Sequence, residues 1–159
     1  MDLNNTIIGI ALFFAIAIPI YFINSASKKK SGKLSNKLSN LFTNVPSKVS
    51  DYDAFGGDSI IGMHENELGF YQERSNKIVA KTIKLNEISK FHLTKDFITS
   101  GKNKETNLAK VQLDFEFIDK SKGKDSLLFF QMDDNNFMVG EELRIATKWE
   151  EKLNKLLQK

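Results

Sequence analysis

Residues 7–23, IIGIALFFAIAIPIYFI, form an unbroken apolar or small run with no charge. Nothing else in the chain limits its folding so strongly. With Thr6 the run spans roughly 27 Å as a helix at ~1.5 Å per residue, close to a hydrocarbon core of about 30 Å. A buried helix of a soluble protein would show a polar face. A cleaved secretory signal would start with basic residues and have a shorter apolar core. Here the start is Met1-Asp2-Leu3-Asn4-Asn5, without Lys or Arg. The expectation is a transmembrane anchor over residues 1–24, with Pro19 tolerated and Tyr21 suited to the interface.

Lys28, Lys29, Lys30, Lys33 and Lys37 follow the run. Positive residues stay on the cytoplasmic side. The expected location is therefore the cell inner membrane or plasma membrane, single-pass, with the N-terminus outside and the C-terminal domain cytoplasmic. Residues 25–58 are rich in Ser, Asn, Lys and Gly and are expected to form a basic flexible linker. Within it Leu34, Leu38, Leu41 and Phe42 recur at helical spacing beside Lys33 and Lys37. Two readings stay open: a short amphipathic helix lying on an anionic membrane face, with the five lysines as membrane-surface residues, or a frayed linker whose lysines only set topology. Pro46 ends any such helix.

About 100 residues remain from residue 59, enough for one ordinary domain. Six lysines and four acids precede residue 59, whereas 17 basic and 16 acidic residues follow. A nucleic-acid-binding domain would carry a large basic surplus, so no nucleic acid is expected as a partner. The chain has no cysteine, which removes disulfides, thiol catalysis and cysteine metal sites.

Short alternating segments dominate residues 59–132. Ser59–Met63 reads as a strand, His64–Glu67 as a polar turn, and Leu68–Glu73 with Lys77–Leu85 as a hairpin around Ser75-Asn76. Glu87–Asp96 is a further strand, and Thr99–Asn107 is a polar loop. In Leu108–Asp119, Ala109, Val111, Leu113, Phe115 and Phe117 alternate with polar residues, so one face is buried and one wet. Ser121–Lys124 is a turn. In Asp125–Met132 four apolar residues adjoin, Leu127 to Phe130, so both faces are expected to be covered. From about Gly140 the period turns helical through Leu143, Ile145, Ala146, Trp149, Leu153, Leu156 and Leu157, with Glu141 and Glu142 at the start and lysines toward the end, as the helix dipole prefers. The expected fold class is α+β: a single N-terminal transmembrane helix, then an antiparallel β-sheet or barrel domain over 59–159, closed by a C-terminal helix.

This strand order, the segment LNEISKF (Leu85–Phe91) and the sole tryptophan, Trp149, in the last helix resemble the pleckstrin-homology-like (PH-like) domain of bacterial membrane-associated proteins. The resemblance covers residues 59–159. Lipid-binding members of that family carry Lys and Arg around the first hairpin loop. Here the loop is His64-Glu65-Asn66-Glu67, which repels phosphate, so the resemblance implies protein binding or scaffolding and not phosphoinositide binding.

No constellation points to catalysis, a cofactor or a metal. His64 and His92 read as surface histidines without zinc-site spacing. Asp133-Asp134-Asn135-Asn136 lacks the spaced pattern of a calcium loop and reads as a polar turn. Gly56, Gly57 and Gly62 are followed by no Gly-Lys-Ser/Thr. The expectation is a non-enzymatic, membrane-anchored cytoplasmic binding or scaffold module that engages a protein partner at the inner membrane face. It would do so through an exposed sheet edge or the loops 99–107 and 133–139, with Lys102, Lys104, Phe137 and Met138 as possible partner contacts. The alternative is a small structural or accessory subunit of a larger membrane complex, with Gly9, Ala11 and Ala15 offering small residues for helix contact.

Overall fold

The computed structural model describes residues 13, 15, 18, 31–42, 49, 51–74, 76–100, 105–132 and 140–157. The chain divides into two compact units, Met1–Lys33 and Leu34–Lys159. In the first, Phe13, Ala15 and Ile18 are helical and exposed.

The second unit begins inside a helix over residues 31–39, α1. Then come β1 (Asp51–Phe55), β2 (Ser59–His64), β3 (Glu67–Arg74), β4 (Lys77–Lys84), β5 (Ile88–Ser100), β6 (Glu105–Phe117), β7 (Lys124–Gln131) and the C-terminal helix α2 (Glu141–Leu157). β1 to β4 form one antiparallel sheet in sequence order, and β5 to β7 form a second. Asn76, at φ 61°, supplies the left-handed position of the β3–β4 turn, a conformation that asparagine tolerates better than most residues. Gly123, at φ 70°, closes the short 3₁₀ turn before β7.

Two features correct the expected fold class. The described strands form two sheets, not a single sheet or closed barrel: the chain leaves the edge of the first sheet after β4, turns through a 3₁₀ turn at Leu85–Glu87 and starts a new sheet edge with β5. Buried Leu85 pins that corner, its N–H donating to the Asn66 carbonyl at 2.8 Å. Side chains then bridge the two sheets. Lys81 donates to the Ser126 carbonyl at 2.8 Å, and Gln72 to the Leu128 carbonyl at 3.3 Å. Second, among the described residues no helix is long and apolar enough to cross a membrane. The run at 7–23 lies outside the described residues except for 13, 15 and 18. The transmembrane helix therefore does not stand as part of the described fold.

The main core lies between the sheets and under α2. Phe55 stacks on Phe129 with centroids 5.0 Å apart, and Phe70 tilts against the same ring. Val111, Leu113 and Phe115 of β6 are buried, as their alternation predicts. Helix α2 adds Ile145, Ala146, Trp149 and Leu153. Trp149 is fully buried, and its Nε1 donates to Asp53 of β1 at 2.9 Å. That bond satisfies the one polar atom of the side chain and ties the last helix to the first strand.

The sheet begins at Asp51, earlier than the boundary expected at residue 59, and α1 from Leu34 onward belongs to the same unit. The outer face of the first sheet carries Ile60 and Tyr71, paired across β2 and β3, and beside them the pair Gly62 and Gly69. Those two glycines leave a notch. A Cβ on Gly69 would stand 2.5 Å from Phe42 Cζ, and one on Gly62 would stand 2.6 Å from Leu38 Cδ2. Leu34, Leu38 and Phe42 fill this face together with Val49, Ile60 and Tyr71 as a second, smaller core. The amphipathic stripe is thus a helix whose apolar side faces the sheet.

Candidate functional site

Around α1 the polar groups form one cluster. Lys37 Nζ donates to the Tyr71 hydroxyl at 2.9 Å and pairs with Glu73, and Tyr71 itself donates to Glu73 at 3.2 Å. The Glu73 hydrogen bond, then that of Tyr71, holds the Lys37 ammonium above its ordinary pKa. Glu73 is held below the usual carboxylate range, first by Lys37 and then by Tyr71. Lys33 is exposed, whereas Lys37 is engaged by the sheet. Ser35 Oγ is buried with no hydrogen-bond partner among the described residues. This surface is occupied by the chain's own helix.

A cleft of about 440 Å³ opens beside β4 and β7, with Lys84, Lys122, Lys124, Glu87 and Asp125 on its walls. Two of its cations are taken, Lys122 by Glu87 at 2.7 Å and Lys124 by Glu116 at 2.7 Å, and its Asp125 pairs with Lys81. Through the Lys124 hydrogen bond Glu116 is held below the ordinary carboxylate range and Lys124 above the ordinary lysine value. Such matched charge gives little attraction for a free anion.

The hairpin of β5 and β6 is different. Both strands have 13 residues, but β7 pairs with β6 only from Lys110 to Glu116. Beyond Lys110 the hairpin continues as a two-stranded ribbon, Phe97 opposite Leu108, Ile98 opposite Asn107 and Thr99 opposite Thr106. The loop expected over Thr99–Asn107 is therefore shorter, because its β-branched threonines continue the pairing. Phe97 is 60% exposed and Ile98 45%. Phe97 continues the row of Phe91 and Leu93 on β5, which pack on the core, past the point where the core ends. Ile98 stands on the opposite face.

Of the residues expected to contact a partner, Lys102 and Lys104 follow β5 in sequence, Phe137 and Met138 follow β7, and all four lie outside the described residues, as do Lys28, Lys29 and Lys30. His64 ends β2 with its ring 5.9 Å from that of Phe42. His92 lies on the solvent side of β5, its Nε2 3.6 Å from Asp114 Oδ2. Among the described residues no three His, Asp or Glu side chains gather as metal ligands. Sequence reasoning missed Phe97 and Ile98 by ending the strand at Asp96. Extending the period-two row Phe91, Leu93, Lys95, Phe97 would have found the first. No protein-family model, curated protein or solved structure matches the chain.

Proposed function

We propose that the chain is a non-enzymatic binding and scaffold module. Its apolar segment at 7–23 and the lysines that follow keep it at the inner membrane face, where the domain engages another protein chain through an exposed sheet edge. The observation that carries this reading is the β5–β6 ribbon, which leaves Phe97 and Ile98 exposed on a strand whose outer edge pairs with no other strand among the described residues. A two-stranded ribbon is marginal alone, and an open strand edge that carries apolar side chains is a template for pairing with another chain. The seven antiparallel strands followed by a helix with the sole tryptophan support the PH-like resemblance. Near-neutral charge after residue 59 favours a protein over a polyanion.

A photo-crosslinking residue placed at Phe97 in intact cells tests the reading. Ile78 of β4, 63% exposed, serves as the control position. The expected result is a protein adduct in the membrane fraction from position 97 and none from 78. Equal labelling at both sites, or recovery of the chain in the soluble fraction, refutes it.

A further inference from the structure

Each strand edge of the two sheets can be checked for what covers it. β1 has α2 alongside, with Lys148 and Trp149 bonded to Asp53 and Lys152 to Asp51. β4 carries Lys77, Lys81 and Lys84, the charge that blunts edge pairing in natural sheets. β7 has its Ser126 and Leu128 carbonyls taken by Lys81 and Gln72. On β5 the Leu93 N–H donates to Glu150 of α2 at 3.1 Å. From Thr94 to Ser100 no further bond to that edge is found among the described residues.

This open stretch is also regular. The register change between Asp96 and Phe97 leaves the extra residue, Ala109, on β6 and not on β5, and the Ala109 carbonyl accepts from Met132 at 2.8 Å. Because the Leu93 N–H points outward, so do the main-chain groups of Lys95, Phe97 and Thr99, by the alternation of an antiparallel ladder. The midpoint of the open stretch is Phe97.

We propose that a second copy of this chain pairs with this edge, β5 antiparallel to β5, with the two-fold axis at Phe97. This rests on the reading of the domain as a protein-binding module and names its partner. The register follows from the midpoint of the open stretch, and charge agrees with it. Centring on Asp96 sets two aspartates opposite each other, and centring on Lys95 sets two lysines opposite, both destabilising. Centring on Phe97 sets Lys95 opposite the second copy's Thr99, and Asp96 opposite its Ile98, with no like charges facing. It joins the outward groups of 95, 97 and 99 in about six main-chain hydrogen bonds. On one face it makes a continuous apolar row, Leu108 and Phe97 from each copy, across the new junction.

The test uses the full chain in detergent. Since it has no cysteine, Phe97→Cys introduces a unique thiol, and so does Thr94→Cys on the same strand. At the proposed axis the two residues 97 face each other, whereas residues 94 of the two copies stand roughly 20 Å apart. A short bis-maleimide is expected to link Phe97→Cys into a dimer and leave Thr94→Cys monomeric. Sedimentation in density-matched detergent should give a dimer for the parent chain, and Phe97→Glu, which brings two like charges together, should raise its dissociation constant at least about tenfold. Near-ultraviolet dichroism of buried Trp149 checks that the variants stay folded. Equal linking at 94 and 97, or a dimer indifferent to Phe97→Glu, overturns the second copy as partner. If position 97 then captures a different polypeptide in cells, the binding-module reading survives. If it captures none, both fall.

Discussion

Gly69→Ala is expected to change sign with its background. The atoms nearest the Cβ it adds belong to Leu38 of α1 and to Phe42 just after it: Phe42 Cζ at 2.5 Å, with Phe42 Cε2 and Leu38 Cδ1 at 3.0 Å. The backbone of Gly69 has no positive φ, so alanine is tolerated locally and the cost is steric. Phe42 and Leu38 are buried, and extra atoms in a packed site typically cost about 1–3 kcal/mol. In a Phe42→Ala chain the nearest obstacle is gone. Alanine then replaces glycine in a strand interior, a change worth about 0.5–1 kcal/mol in favour of alanine. The double-mutant cycle should therefore show a coupling of about 2 kcal/mol, with Gly69→Ala destabilising alone and neutral or stabilising beside Phe42→Ala. Urea unfolding followed by Trp149 fluorescence measures all four chains. Additivity within about 0.5 kcal/mol would refute the claim that Gly69 exists to admit α1.

Three further outcomes follow from the same contacts. Ser35→Ala should stabilise the fold by about 1 kcal/mol, because it removes a buried hydroxyl that has no partner among the described residues; a loss of stability in urea melts would show that the hydroxyl is satisfied. Asp53→Ala should cost about 1–3 kcal/mol by leaving buried Trp149 Nε1 without its acceptor, read as a lower urea midpoint and a shifted Trp149 emission. Glu73 has a lowered folded pKa, so its contribution is present above the unfolded carboxylate range and lost as pH falls through the lower folded value. Lys37 is raised, so its share holds below the unfolded lysine value and fades as pH climbs through the higher folded one. Hydrogen exchange in α1 should accelerate at both ends, and Glu73→Gln should flatten the acid limb.

Much of the second unit was legible in the sequence. Val111, Leu113 and Phe115 alternate with polar residues and are buried. The row from Leu143 to Leu153 has helical period and forms α2. The hairpin around residues 75–76 follows from its turn residues. What could not be read is how the strands divide into sheets. Between β4 and β5 the sequence offers only Leu85-Asn86-Glu87, and pairing across such a corner or its refusal depends on tertiary bonds such as Leu85 to Asn66. The extent of the β5–β6 ribbon was hidden because Thr99 and Thr106 are turn-compatible residues that here pair across strands.

The segment read as a linker shows why local pattern alone fails there. In β2 and β3 apolar residues adjoin, Ile60 beside Ile61 and Phe70 beside Tyr71, where a sheet wet on one side should alternate. Strands covered on both faces read as continuous apolar runs, so these pairs already require something on the outer face. The glycines at 62 and 69 sharpen that requirement, since paired glycines weaken a strand unless another element must come close. Just before the sheet, Leu34, Leu38 and Phe42 offer apolar residues at matching spacing on one side of a helix. Their burial against Ile60 and Tyr71 meets the demand. An amphipathic helix whose apolar face is consumed by the protein cannot also lay that face on lipid, so any membrane contact by this part of the chain falls to its lysines, of which Lys33 is the exposed one among the described residues.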